Sequence, residues 1–348
     1  MTARKIRVLV VDDSAIVRKV LSDCLAGEAD IEVVGTAPDP YVARDKILSL
    51  TPDVVTLDIE MPRMDGLTFL KKIMQFHPLP VIVISSLGQA SSHLAIEALA
   101  HGAVDVLCKP GGPYSVGELS RTIADKVRAA ASARIRKAAA VPVLENKALP
   151  RDPRLFRQST VIAIGASTGG TEAIAAVLQE MPASVPGIVV TQHIPAGFSL
   201  AFANRLNQIC DIEVKEAEDG DEVKPGRALV APGNFHMFLR PSARGYSVAV
   251  KDGPRVCYQR PSVDVLFSSV AEVAKSDAVG IILTGMGSDG AEGLSKMKSA
   301  GAFTIAQDES SCVVFGMPKE AIRNGSVDEV VPLPKIATAI LRSVSRGA

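Results

Sequence analysis

A serine flanked by glycines is the clearest candidate nucleophile in the chain. Ser167 lies in the run Gly165-Ala166-Ser167-Thr168-Gly169, which fits the G-x-S-x-G pattern of a nucleophile at a sharp strand-to-helix turn. A helix that begins directly after the serine would stabilise developing negative charge through its N-terminal N–H groups. The local pattern leaves three interpretations open: a hydrolase nucleophile, a phosphate-binding glycine loop that lacks the full G-x-G-x-x-G spacing, or a structural turn.

A serine nucleophile needs a base, and the base needs an orienting carboxylate. Among the five histidines, His193 follows the end of a predicted strand, as Ser167 does. Asp289 stands in the glycine-rich segment 284–290 after another apolar run, and backbone N–H groups of such a loop can form an oxyanion hole. The alternatives are a loop histidine without a catalytic role and an aspartate that only caps a helix.

Carboxylates at strand ends form a second candidate site in the first 125 residues. Asp12 and Asp13 follow one predicted strand and Asp58 follows another. Three converging carboxylates repel one another unless a cation lies between them, and Mg²⁺ is the oxygen-preferring choice. Ser85 and Lys109 also stand at strand ends, where they could hydrogen-bond a phosphoryl group on Asp58. A single aspartate in such a place could instead be a helix N-cap.

The elements that must position these residues alternate between strand and helix. Alternation of this kind predicts an α/β fold with parallel sheets covered on both faces. The predicted strands of the first half are Ile6–Val11, Ile31–Thr36, Val54–Leu57, Val81–Ser85 and Asp105–Cys108. Those of the second half are Val161–Gly165, Gly187–Thr191, Arg227–Ala231, Ala278–Thr284 and Phe303–Ala306. Helices are predicted between them, for example at Ala15–Leu25, Thr171–Met181 and Val263–Ala274.

Length and charge limit the possible classes of protein. The 348 residues suffice for two domains, which we place at 1–125 and 158–348, with an Ala-rich basic linker at 126–157. That linker is either a solvated surface or a surface for docking to an acidic partner. The 38 basic residues equal the 38 acidic ones, which argues against nucleic-acid binding. Apolar runs too short for a membrane span and five scattered cysteines predict a cytoplasmic protein without membrane insertion.

The first half resembles the receiver domain of two-component response regulators over residues 5–125. The resemblance is carried by Asp12-Asp13, Asp58, Met61-Pro62-x-Met64-Asp65-Gly66, Ser85 and Lys109-Pro110. It implies a flavodoxin-like domain in which Asp58 accepts phosphate, Asp12, Asp13 and Asp58 hold Mg²⁺, and Ser85 and Lys109 sense the phosphate. It also implies a cis peptide bond between Lys109 and Pro110. Receivers often have an aromatic residue where this chain has Val106, so we expect output through Ser85 and its loop.

The second half resembles the catalytic domain of the chemotaxis receptor methylesterase (CheB-type) family over residues 160–330. The matching stretches are Ile164-Gly165-Ala166-Ser167-Thr168-Gly169-Gly170, Gln192-His193-Ile194-Pro195, Ala231-Pro232-Gly233, Arg260-Pro261-Ser262-Val263-Asp264, Leu283-Thr284-Gly285-Met286-Gly287 with Asp289-Gly290, and Ser311-Cys312-Val313-Val314-Phe315-Gly316-Met317-Pro318. The order Ser…His…Asp differs from that of α/β-hydrolases, so we expect a doubly wound, Rossmann-like sheet instead.

The resemblance implies the catalytic roles. Ser167 is the nucleophile, His193 the general base and then acid, and Asp289 the orienting carboxylate. The backbone N–H of Met286 is the expected oxyanion donor, assisted by Thr168. No cofactor is expected in the catalytic domain.

The resemblance also implies the substrate and the partners. The substrates are glutamate γ-methyl esters, and also glutamines, on the cytoplasmic domains of chemoreceptors, with a chemotaxis histidine kinase as phosphodonor. In such proteins the unphosphorylated receiver covers the catalytic cleft, and phosphorylation relieves the block. The alternatives are a catalytically silent binding module and a DNA-binding regulator, which would need a basic helix-turn-helix or winged-helix domain.

Overall fold

A computed structural model of the chain describes residues 4–110, 116–135 and 156–345, without the side chains of 116–119. The chain divides into two compact units, Met1–Pro142 and Val143–Ala348. Across the described residues, no helix has the length and apolar character required to cross a bilayer.

The first unit is a doubly wound sheet flanked by helices. Its strands are β1 Ile6–Val11, β2 Ile31–Ala37, β3 Val54–Asp58, β4 Val81–Ser85 and β5 Asp105–Cys108. Within the described part of this unit they form a five-stranded parallel sheet in the order β2-β1-β3-β4-β5. Its helices are α1 Ala15–Ala26, α2 Pro40–Leu50, α3 Gly66–Phe76, α4 Gln89–Ala100 and α5 Val116–Ala131.

The residues of this unit explain both its strands and its helix starts. Every residue of β3, β4 and β5 is buried, as expected for apolar strands with helices on both faces. Three of the helices begin at capping side chains: Ser14, Asp39 and Asp65 accept N–H bonds at the N-termini of α1, α2 and α3. Each of these helices begins shortly after the preceding strand, so the short segment at the strand end can carry functional groups.

The second unit contains a larger parallel sheet. Its strands are β6 Val161–Ala166, β7 Ile188–Gln192, β8 Glu213–Glu216, β10 Arg227–Val230, β13 Ala278–Ile282, β14 Phe303–Gln307 and β15 Glu329–Val331. Over residues 156–345 these seven strands have the order β15-β14-β13-β6-β7-β10-β8. The helices are α6 Gly170–Leu178, α7 Phe198–Ile209, α8 Val263–Val273, α9 Ala291–Ser299, α10 Met317–Arg323 and α11 Leu333–Val344.

An antiparallel sheet, absent from the sequence-based prediction, is also part of the second unit. It consists of β9 Glu222–Val223, β11 His236–Ser242 and β12 Gly245–Lys251 in the order β11-β12-β9. Helix α8 packs on the apolar side of this sheet, through buried residues such as Leu239, Val248 and Phe267. This packing fixes the N-terminus of α8 close to the main sheet.

The predicted fold class is confirmed in both halves, and the bounds of the predicted strands differ from the observed ones by at most two residues. Two strands of the larger sheet, β8 and β15, are absent from the sequence-based prediction. The predicted strand Ala278–Thr284 ends at Ile282. Thr284 leaves the ladder because its N–H donates to Gln307 Oε1 and its hydroxyl to the Thr168 carbonyl. The expected cis bond at Lys109–Pro110 is wrong: in the described ranges, the cis bond is Arg260–Pro261, and trans is the lower-energy form for an X–Pro bond without tertiary constraint.

The predicted linker overlaps folded structure at both of its ends. Helix α5 continues to Ala131, and Arg128 on it contacts Glu28 and Asp30 within the first unit. Phe156, near the other end, is fully buried and bridges to Ser345. Residues 136–155, with most of the linker's basic side chains, lie outside the described ranges. The boundaries 1–125, 126–157 and 158–348 stay a prediction.

Candidate active site

Three neighbouring strands position the predicted catalytic residues. Ser167 follows β6, His193 follows β7, and Asp289 lies in the loop between β13 and α9. Strand β6 is hydrogen-bonded to β7 on one side and to β13 on the other, both parallel. The three residues therefore share the carboxyl edge of the sheet, where α/β proteins bind their ligands. All three are at least nine-tenths buried.

Ser167 lies in a tight turn between β6 and α6. The Gly170 N–H donates to the Ser167 carbonyl at 2.7 Å, and the Ser167 N–H donates to the Thr284 carbonyl at 3.0 Å. Gly169 has φ of 76°, a left-handed conformation that glycine adopts without strain. A Cβ at Gly285 would come within 2.6 Å of the Ser167 Cβ. Glycines thus allow the strand-end loops to approach the serine closely.

His193 is held between the serine turn and the aspartate. Its N–H donates to the Ala166 carbonyl, and Gln192 Nε2 donates to both the Ser167 and His193 carbonyls. Its Nε2 lies 2.7 Å from Asp289 Oδ2. Its Nδ1 is buried and has no hydrogen-bond partner within the described residues. No bond joins Ser167 Oγ to Nδ1 there, which is common before substrate binds, since catalytic hydrogen bonds often tighten only in the complex.

Asp289 receives hydrogen bonds on both carboxylate oxygens. Oδ1 accepts from Ser262 Oγ at 2.8 Å and the Asp264 N–H at 3.0 Å. Oδ2 accepts from the Val263 N–H at 2.7 Å in addition to His193. Burial opposes ionisation of Asp289. The hydrogen bond from His193, the positive charge of His193 and the other donors outweigh burial and hold the pKa of Asp289 below its usual range. A carboxylate at this position is therefore available to pair with an imidazolium.

The predicted oxyanion donors lie beside the serine. Met286 follows Gly285, whose carbonyl accepts from the Gly316 and Met317 N–H groups. The Met286 N–H itself has no hydrogen-bond acceptor in the part of the chain that the structure describes. Thr168 is buried, and its carbonyl accepts from Thr284 Oγ1. An N–H without an acceptor next to a nucleophile is a suitable donor for a developing oxyanion.

The first unit brings its three predicted carboxylates together. Asp12, Asp13 and Asp58 each offer an oxygen within 4.8 Å of the others. Burial and the charge of Asp58 raise the pKa of Asp12 to about 6. Burial also raises the pKa of Asp58, although Lys109 Nζ donates to its Oδ2 at 2.8 Å. Burial opposes protonation of Lys109, but its bond and attraction to Asp58 outweigh that effect and raise its pKa.

These carboxylates suit a hard divalent cation. Asp12 Oδ2 is buried without a hydrogen-bond partner among the described residues, and Lys109 Nζ is 3.8 Å from it. An anionic oxygen left in this state is costly, and a cation between the carboxylates would remove that cost. The residues present therefore fit Mg²⁺.

Ser85 lies close to this cluster but bonds elsewhere. Its buried hydroxyl is within hydrogen-bond distance of the Ser91 carbonyl at 3.2 Å and the Ser86 carbonyl at 3.3 Å. Glu60, which the sequence did not single out, connects the same loop to the segment after Asp58. Its carboxylate accepts from Ser86 Oγ at 2.6 Å and from Ser91 Oγ at 2.5 Å. The loop around Ser85 is thus fastened two residues beyond the predicted phosphoacceptor.

Two further contacts were missed at the catalytic centre. Gln192 and Ser262 belong to stretches that carry the family resemblance, but neither was given a role. Gln192 acts through its side chain on the carbonyls of Ser167 and His193. Ser262 reaches an aspartate 27 residues later in the chain. Local spacing gives no signal for such long-range contacts.

A second group of possible metal ligands in the described residues includes Asp289. Cys257, Asp264 and Asp289 offer ligand atoms within 4.8 Å of one another. Asp289 already receives four hydrogen bonds there, so a metal would compete with His193. A catalytic domain that works without a cofactor stays a prediction.

Each half of the chain matches the model of a known protein family. Residues 162–340 match the family model for CheB methylesterase, and residues 8–119 match the model for response regulator receiver domains.

Proteins similar to this chain over nearly its whole length occur in different bacteria. A protein-glutamate methylesterase/protein-glutamine glutaminase of Syntrophus aciditrophicus is 58% identical over 341 residues, 98% of this chain and 99% of that protein. A Salmonella typhimurium protein of the same description is 53% identical over 345 residues, 99% and 98% of the two chains. The crystal structure of the Thermotoga maritima CheB methylesterase catalytic domain is 40% identical, with a TM-score of 0.52, and covers 53% of this chain and 97% of that domain.

Proposed function

The chain belongs to the CheB methylesterase family, and on that premise we propose that it hydrolyses glutamate γ-methyl esters on the cytoplasmic helices of chemoreceptors. It is a protein-glutamate methylesterase and protein-glutamine glutaminase that carries a receiver domain, and it functions in chemotactic adaptation. Ser167, His193 and Asp289 form the catalytic triad in this proposal. The observation that carries it is the buried pair of His193 Nε2 and Asp289 Oδ2, which leaves Nδ1 without a hydrogen-bond partner among the described residues and able to take a proton.

The reaction follows from these positions. Ser167 Oγ attacks the ester carbonyl while His193 Nδ1 takes the hydroxyl proton, and Asp289 stabilises the imidazolium that forms. The Met286 N–H, with Thr168, donates to the oxyanion. His193 then protonates the leaving methoxide, so methanol departs and an acyl-enzyme remains. Water, activated by the same imidazole, releases the receptor glutamate and regenerates Ser167. A glutamine follows the same course, with ammonia as the leaving group.

Phosphorylation of Asp58 raises this activity in the proposal. A histidine kinase of the chemotaxis system is the phosphodonor, and Asp12, Asp13 and Asp58 would hold Mg²⁺. Bound Mg²⁺ supplies positive charge that offsets repulsion among the carboxylates and an incoming phosphoryl group. Lys109 Nζ, 2.8 Å from Asp58 Oδ2, would pair with the phosphate. Ser85 would leave the carbonyls of its loop to donate to the phosphate.

We place the protein in the cytoplasm. An ATP-dependent kinase and the cytoplasmic part of the receptors are found there. All five cysteines are free thiols, as expected in a reducing compartment.

Methanol release from methylated receptor membranes tests the proposal. The full chain is assayed with Mg²⁺, with and without acetyl phosphate as a small phosphodonor. We expect basal release that rises when acetyl phosphate is present. Absence of release in both conditions would favour a binding module without catalysis.

A further inference from the structure

We propose that Ser262 is a positioning residue of the hydrolysis reaction, whose hydroxyl fixes the Asp289 carboxylate in the orientation that His193 requires. Ser262 caps α8, and the first N–H groups of that helix complete the binding of the carboxylate. The inference rests on the proposed triad, because it concerns the residue that orients His193.

The N-terminus of α8 surrounds Asp289. Ser262 Oγ and the Asp264 N–H donate to Oδ1, and the Val263 N–H donates to Oδ2. The first N–H groups of a helix have no partner within it and carry the positive end of its dipole. Of the four donors to Asp289 among the described residues, three thus come from one helix start, and the fourth is His193 Nε2.

The hydroxyl of Ser262 has a defined direction. The residue is fully buried, and its Oγ accepts the Val265 N–H at 3.4 Å. An ionised carboxylate can only accept, so the hydroxyl proton must point to Asp289, 2.8 Å away. Ser262 Oγ is therefore a donor to Asp289 and an acceptor from the Val265 N–H.

A second histidine holds the Ser262 backbone. The Ser262 N–H donates to His236 Nδ1 at 3.3 Å, and His236 Nε2 lies 2.9 Å from the Pro254 carbonyl. A carbonyl is only an acceptor, so Nε2 carries the proton and Nδ1 is free to accept. His236 is buried and belongs to β11. The antiparallel sheet thus anchors the residue that in turn contacts the triad.

This arrangement fixes the plane of the Asp289 carboxylate. His193 and the Val263 N–H donate to Oδ2, and Ser262 Oγ and the Asp264 N–H donate to Oδ1, so donors on both oxygens restrain rotation of the carboxylate about its Cβ–Cγ bond. Without the hydroxyl, Oδ1 keeps a single donor. The carboxylate then has three donors instead of four, so its orientation, and with it that of the imidazole, is held less tightly. Misorientation of this kind affects the rate of the chemical step more strongly than it affects the binding of substrate.

Substitution of Ser262 separates this role from helix capping. Glycine is well tolerated at an N-cap, so Ser262→Gly removes the hydroxyl while α8 keeps its start. We expect kcat for methanol release to fall about tenfold with KM nearly unchanged, the size expected for one hydrogen bond to a charged group. Ser262→Thr, which keeps a hydroxyl, should recover most of the rate.

Ser269→Ala is the matched control in the same helix. The Ser269 hydroxyl accepts the Leu239 N–H and donates to the Leu266 carbonyl, so its loss affects packing without reaching the triad. Proton NMR of the full chain supplies a second readout, the far-downfield resonance of the proton between His193 and Asp289. It should shift or broaden in Ser262→Gly and stay unchanged in Ser269→Ala.

The outcomes are distinguishable from failure of the proposed function. If the wild-type chain releases no methanol, the proposed function fails. If wild type is active, the inference is overturned by an unchanged kcat in folded Ser262→Gly, by an equal loss in Ser269→Ala, or by Ser262→Thr as slow as Ser262→Gly.

Discussion

Buried carboxylates of the same chemical type behave oppositely in the two units. Asp289 receives four hydrogen bonds, and its pKa is lowered despite burial. Asp12 accepts the Ser14 N–H at 2.9 Å, has a second oxygen without a hydrogen-bond partner in the described residues, and lies near Asp58. Burial and the neighbouring charge raise its pKa to about 6. The first environment keeps a permanent anion, and the second creates a demand for a cation.

The raised pKa of Asp12 makes Mg²⁺ binding dependent on pH. The pKa of Asp12 in the folded protein, about 6, exceeds the usual value of 3.8. Between these two pH values the folded protein keeps a proton on Asp12, which it must release to bind the metal. We expect the Kd for Mg²⁺ to be at least about fourfold larger, and binding correspondingly weaker, at pH 5.5 than at pH 7.5, as a pKa near 6 requires. Titration calorimetry of the full chain measures this.

A carboxylate at the opposite end of the sheet provides the control. Asp53 precedes β3 and accepts from Arg4 and from the Arg7 N–H. Asp53→Asn should keep the pH dependence of the wild type, whereas Asp12→Asn should weaken Mg²⁺ binding at both pH values. An equal Kd at pH 5.5 and 7.5 for the wild type would contradict the account.

At the level of elements, the loop that carries Met286 can approach Ser167 closely because Gly285 has no side chain. A Cβ at Gly285 would lie 2.4 Å from Met317 Sδ and 2.6 Å from the Ser167 Cβ. Gly285→Ala should therefore move the loop that carries Met286 away from the serine. We expect a loss of kcat of at least about tenfold, together with a loss of about 1–3 kcal/mol in the free energy of unfolding, typical of overpacking.

Gly253→Ala is a suitable comparison in the same unit. A Cβ there would meet only the His236 ring at 3.5 Å, an ordinary contact. We expect near wild-type methanol release and melting temperature for this variant. Full activity of Gly285→Ala, measured under the same conditions, would show that the loop does not need its close approach.

Strands and strand-end sites could be predicted because short apolar runs and the residues that end them are local features. The strands that end at Asp58 and Ser85, and the strand just before Ser167, are predicted to within one residue of their observed ends. The antiparallel sheet is not predicted, because the buried and exposed residues of β11 and β12 do not alternate regularly and β11 packs against α8, which is distant in the sequence. Contacts such as Ser262 with Asp289 depend on tertiary structure, and no period in the sequence encodes them.

At the scale of the whole molecule, the balanced charge conceals unlike parts. The first 125 residues and residues 158–348 are each acidic, and positive charge is concentrated in 126–157. Arg128 from that stretch is already paired with Glu28 and Asp30 inside the first unit. Part of the cationic stretch therefore stabilises the receiver unit, in addition to whatever the remaining basic residues contact.

The two units divide the labour between them. One holds the buried carboxylates and Lys109, which suit phosphoryl chemistry, and the other holds the proposed triad of Ser167, His193 and Asp289. Substitutions in one unit should therefore leave the chemistry of the other intact. Ser167→Ala and Asp58→Asn separate the two activities most clearly.

The central claim is that Ser167 is the nucleophile and that Asp58 controls its rate. The decisive measurement is methanol release from methylated receptor membranes, with phosphate incorporation followed in parallel, for wild type, Ser167→Ala and Asp58→Asn. We predict that Ser167→Ala takes up phosphate but releases no methanol above background. Asp58→Asn should keep basal release and lose all stimulation by acetyl phosphate. Methanol release by Ser167→Ala at the wild-type rate would contradict the assignment of the nucleophile.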